Sequence, residues 1–79
     1  MRIRINGIND ALKFTRIAEK FNDDVDVTDG KYIVNGKSQM GLLMICAEGT
    51  PLEAKIGTED MLEFAKFRAA IEEFLVTGE

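Results

Sequence analysis

The chain has no histidine and no tryptophan, one cysteine (Cys46) and one proline (Pro51) in 79 residues. Lacking histidine and holding a single thiol, it has no donor set suited to a transition metal, and no metal or cofactor is expected. A lone cysteine cannot form an intrachain disulfide, so a reducing cytoplasm is the expected compartment. The longest apolar run, Met40 to Ala47, is far shorter than the ~20 residues of a membrane-spanning helix. Basic charge is scarce as well. A net charge of −4 supplies no phosphate-neutralising face, and nucleic acid is not an expected partner.

What is present, 46% apolar and 30% charged residues, describes one folded domain over residues 1–79, small enough to have a single core. Met1, Ile3 and Ile5 alternate with Arg2 and Arg4, the period of a half-buried strand. Ala11, Phe14, Ala18 and Phe21, with Ile17 beside them, predict a helix ending near Phe21 with Asn9 or Asp10 as its N-cap. Val25 and Val27 predict a second strand. Asp29-Gly30 predicts a tight hairpin turn, and Tyr32-Ile33-Val34 a third strand. Ser38 opens a helix that Gly49 closes, and Leu52, Ala54 and Ile56 predict a fourth strand. Thr58 is the expected N-cap of a last helix whose buried stripe is Phe64, Phe67, Ile71, Phe74 and Leu75. The order β-α-β-β-α-β-α implies an α+β fold, a four-stranded, mainly antiparallel sheet with three helices on one face.

The helix predicted over 38–48 is apolar all round. A helix lying on a small sheet buries about half its circumference. Either Leu42, Ile45, Cys46 and Gly49 face the core and Met40, Leu43, Met44 and Ala47 face out, or the reverse. Both arrangements leave Met and Leu near the surface, a patch of the kind that docks a protein. Self-association would cover the same patch. Ser38, an N-cap by its chemistry, is also a candidate phosphorylation site, because helix amides tolerate an added anion. Glu72-Glu73 and Asp23-Asp24 read as solvated charge. With no histidine, reactive thiol or organised carboxylate pair, the expectation is a chain that is not an enzyme.

Asn35-Gly36-Lys37-Ser38, followed by Met40-Gly41-Leu42-Leu43, resembles the regulatory-serine segment of the HPr family, the histidine-containing phosphocarriers of the bacterial sugar phosphotransferase system. Ala18-Glu19-Lys20-Phe21 with Val25, Glu48-Gly49-Thr50 and Ala70-Ile71-Glu72-Glu73 extend the likeness over nearly the whole chain. The resemblance implies the family's open-faced β-sandwich. Docking is expected through Lys37, Gln39, Met40, Leu43, Met44 and Ala47, and the resemblance implies a protein partner such as an HPr-type serine kinase or a transcriptional regulator.

The departure lies at the chemistry. Where the family's active loop reads Gly-Leu/Ile-His-Ala-Arg-Pro-Ala, this chain reads Gly7-Ile8-Asn9-Asp10-Ala11. Asn9 takes the place of the phosphorylated histidine, and the Arg-Pro pair has no counterpart. An amide nitrogen is not basic and cannot take a phosphoryl group as imidazole does. Gln39 replaces the apolar residue that usually follows the serine. Arg16 reads as a solvated charge on the outer side of the first helix. The family includes paralogues that lost the histidine, kept the serine and act in catabolite regulation. The sequence therefore points to a non-catalytic regulatory module switched at Ser38, with a small self-associating structural domain, homodimeric through helix 38–48, as the alternative.

Overall fold

The computed structural model describes residues 1–46 and 51–76. Its elements are β1 (Arg2–Ile3), α1 (Gly7–Ala18), β2 (Val25–Thr28), β3 (Ile33–Asn35), α2 (Gln39–Ile45), β4 (Leu52–Ile56), α3 (Met61–Ala70) and a closing 3-10 turn (Glu72–Phe74). The strands form one sheet in the order β1-β4-β2-β3, every neighbouring pair antiparallel. Along β4, Leu52, Ala54 and Ile56 are buried and Glu53 and Lys55 exposed. β1 and β2 alternate likewise, so one sheet face meets the helices and the other is open. This is the α+β open-faced sandwich that the element order implied.

Between sheet and helices, aromatic rings supply much of the filling. Phe67 meets Phe14 edge-on with centroids 6.4 Å apart and Phe21 at 5.3 Å, while Phe74 meets Phe14 at 5.6 Å. Phe14 and Phe67 are fully buried, with Ile3, Ile5, Ala11, Leu42 and Ile71 around them. A helix-to-turn ion pair, Lys13 Nζ to Glu73 Oε2 at 3.0 Å, ties α1 to the closing 3-10 turn at the surface.

Several boundaries differ from the sequence expectation, each for a local reason. α1 begins at Gly7, with Asn6 as its N-cap, and neither Asn9 nor Asp10 serves as the cap. Gly7 has φ +84°, which lets the chain enter the helix early. Asp10 reaches back one turn, its Oδ2 accepting the Asn6 N–H at 3.0 Å. The helix ends at Ala18, and Phe21 follows on a tighter turn, its N–H donating to the Ala18 carbonyl at 3.1 Å.

The β2–β3 connection spans residues 29–32 and is not a two-residue turn on Asp29-Gly30. Asp29 Oδ1 accepts the Lys31 and Tyr32 N–H groups, each at 2.8 Å, and Gly30 takes φ +97°. β3 is correspondingly displaced by one residue, to Ile33–Asn35. α2 is shorter than the predicted 38–48 and closes at Cys46; Gly49, its expected terminator, lies outside the described residues.

The last helix is capped by Asp60, whose Oδ1 accepts the Leu62 N–H at 2.9 Å. Thr58 sits before it, its hydroxyl accepting the Asp60 N–H at 3.1 Å. The predicted stripe is split. Phe64 is 44% exposed, only Phe67 of α3 is buried, and Ile71 and Phe74 enter the core from the helix end and the 3-10 turn.

Candidate functional site

The segment Asn35-Gly36-Lys37-Ser38 is a compact turn in which each residue has a structural task. Asn35 ends β3 and turns the chain, its Oδ1 accepting the Lys37 N–H at 2.9 Å and its carbonyl accepting the Ser38 N–H at 2.9 Å. Gly36 is buried against Val25 and donates its N–H to the Val25 carbonyl at 2.6 Å. Lys37 extends its ammonium to the Phe21 carbonyl at 2.6 Å, closing the end of α1. Ser38 caps α2 through its Oγ, which accepts the Gly41 N–H at 3.1 Å.

α2 then lies with Leu42, Ile45 and Cys46 buried, the first of the two orientations that the sequence left open. Gly41 makes the close approach feasible, because a methyl group there would stand 3.2 Å from Val34 Cβ. The opposite side faces solvent: Met40 is 78% exposed, Met44 79% and Leu43 37%. Gln39, Ser38 and Lys37 are half-buried at its edge. Ala47, also named for docking, lies outside the described residues. Asn9, at the position the resemblance assigned to the phospho-histidine, is exposed in the first turn of α1, and Arg16 is exposed near the other end of that helix.

Comparison with known proteins finds similar sequences and a similar fold. Two curated phosphocarrier proteins HPr from Neisseria meningitidis, of serogroups A and B, are each 44% identical over 52 residues, or 65% of this chain. The match spans 58% of each of those relatives. A solved structure of Crh, the Bacillus subtilis catabolite repression protein, described as a domain-swapped intertwined dimer, matches with a TM-score of 0.67. Sequence identity there is 27%, over 95% of this chain and 88% of Crh. The chain is thus similar to HPr in sequence and to Crh in fold. No family model matches it.

The chain exposes more apolar surface than the sequence indicated. Ile8 is 58% exposed, and Met61 and Leu62 join Phe64 on the outer side of α3 at 85% and 63%. At the sheet margin Tyr32 and Ile33 are 59% and 73% exposed. Ile33 was legible as a strand residue but not as an outward one, since a short strand beside a turn carries too little alternation to set its phase. Among the described residues no cluster of acidic or thiol side chains is arranged to hold a metal ion, and no helix is long and apolar enough to cross a membrane.

Proposed function

We propose that this chain is a non-catalytic, protein-binding member of the phosphotransferase-related HPr-like proteins, acting in the cytoplasm. Its docking face centres on Met40, Leu43 and Met44, with Lys37 and Gln39 at its edge, and is switched by phosphorylation of Ser38. The observation that carries the proposal is the nearly full exposure of Met40 and Met44, on the short helix that Ser38 caps. Flexible thioethers left in water at such a site favour a partner surface that must be fitted.

The absence of histidine removes the chemistry named in the phosphocarrier relatives and leaves the serine segment. A phosphate on Ser38 would add about −1.5 to −2 charges at the edge of an apolar face that has no acidic residue of its own from Val34 to Cys46. Partner choice would change with little disturbance of the fold. Incubation with an HPr-type serine kinase and ATP, followed by intact-mass and fragment analysis, should add one phosphate, located at Ser38 and absent from Ser38→Ala. Unmodified protein after exhaustive incubation would remove the switch.

Self-association through the same face is the second reading, supported by the dimeric state of Crh. It expects a concentration-dependent dimer in light scattering that Met40→Glu or Leu43→Glu dissociates. A monomer at high concentration would count against it.

A further inference from the structure

The methionines of this chain stand in unlike surroundings. Met1 is partly buried against the core, whereas Met40, Met44 and Met61 are 78%, 79% and 85% exposed. Met40 and Met44 lie one turn apart on α2 and so share one side of that helix. Met61 opens α3, equally open to water on a different element.

Such exposure makes a thioether available to oxidation. The sulfur lone pair attacks an oxygen of a peroxide; the O–O bond breaks and an S–O bond forms. The departing hydroxide takes the proton from the attacked oxygen and leaves as water. Sulfur has then lost two electrons to the peroxide, and an apolar side chain has become a polar sulfoxide. A dithiol, acting through a reductase, returns it to thioether with release of disulfide and water. The thiol that would compete for peroxide, Cys46, is buried.

The fold tolerates the change at these positions. α2 is held by the buried Leu42 and Ile45 and by the Gly41 N–H donating to Ser38 Oγ at 3.1 Å, contacts in which neither methionine takes part. The effect falls on the surface instead. Met40 and Met44 stand beside Leu43 on the exposed side, and Met44 also lines an apolar groove of about 360 Å³ with Tyr32, Ile33, Val34 and Ile45.

We propose that Met40 and Met44 form a reversible oxidation site through which a peroxide turns the docking face from apolar to polar, an inference that rests on the reading of that face as a docking surface. Phosphate on Ser38 adds charge at the edge of the face. Sulfoxide removes apolar character from its centre and adds no net charge. The two changes are therefore independent, and Ser38→Ala should oxidise as the wild type does.

Hydrogen peroxide applied to the folded chain, followed by peptide mapping by mass, should place sulfoxide on Met40, Met44 and Met61 about tenfold faster than on Met1, with Cys46 unmodified. The amide NMR spectrum should stay that of the folded chain. Retention on a phenyl matrix should fall for oxidised wild type and oxidised Met61→Leu, and should recover after methionine sulfoxide reductase and dithiothreitol. It should hardly move when Met40→Leu and Met44→Leu are combined. Oxidised Met61→Leu should accept phosphate at Ser38 from an HPr-type kinase about tenfold more slowly than its reduced form, equivalent to about 1.4 kcal/mol of docking. Protection of Met40 and Met44 from peroxide, loss of the folded spectrum, or equal retention before and after oxidation would overturn the inference. Equal kinase rates in the two states would overturn it as well, while leaving the Ser38 switch standing. No phosphate on the reduced chain would remove that switch, and the phenyl-matrix result would still decide the oxidation site.

Discussion

A methyl group added at Gly36 would lie 2.6 Å from Val25 Cγ1 and 3.1 Å from the Val25 carbonyl oxygen. Neither atom can retreat, because Val25 is buried and paired with Ile56. Gly36→Ala should therefore destabilise by about 1–3 kcal/mol, as overpacking does, seen as a lower urea midpoint at unchanged slope. Gly36 was legible from sequence as part of a motif, but its reason, contact with Val25 eleven residues earlier, was not. Asp29 provides a pH test. The Tyr32 N–H, and next the Lys31 N–H, hold its carboxyl below its ordinary 3.8. A carboxyl lowered in the folded state contributes stability that is present above the unfolded value and is lost as pH falls through the folded one. Wild type should thus exceed Asp29→Ala in stability at neutral pH, and the charge-dependent part of the difference should fade below pH 3.8. Lys13 has the opposite sign. The hydrogen bond and charge of Glu73 raise it above 10.5, so that contribution is present below 10.5 and is lost in strong alkali.

At the scale of elements, α2 has few means of holding itself. Seven residues cannot sustain a helix alone, so its cap and its buried side decide whether it forms. Ser38→Ala should cost about 1 kcal/mol and Ser38→Asp should recover most of it, because aspartate also accepts the Gly41 N–H. Thermal melts of both variants test this, and a recovery by aspartate separates the capping role of Ser38 from any role as phosphate acceptor. The sequence revealed α2, its cap and its two alternative orientations, because a run of apolar residues behind a serine needs no tertiary information to be noticed. It revealed α3 less well. Thr58 and Asp60 are both capable N-caps, and choosing between them depends on where Phe67 must sit to meet Phe14 and Phe21. The Phe64-to-Leu75 series suggested one continuous stripe, yet the helix closes at Ala70 and Phe74 arrives on a 3-10 turn. Spacing alone cannot show such a break.

For the molecule as a whole, stability rests on few side chains. Phe67 joins α3 to α1 through edge contacts with Phe14 and Phe21. Phe67→Ala should cost about 3–5 kcal/mol, a large share of the few kcal/mol by which a domain this small is stable. Urea unfolding should show a collapsed midpoint, while Phe64→Ala, at a 44% exposed position, should change it far less. The order of elements and the single sheet were legible because each strand alternates or is bounded by turn residues. The strand order β1-β4-β2-β3 was not, since it depends on which edges meet across the chain. One such meeting has a mechanical consequence. Ile3 lies opposite Leu75 in antiparallel register, with Arg2 and Val76 bonded beside them. Tension applied between residues 1 and 76 would load these bonds one after another, as in a zipper, and not all together in shear. The β1 margin should therefore peel open at low force, with Ile3 and Ile5 exposed before the aromatic centre gives way.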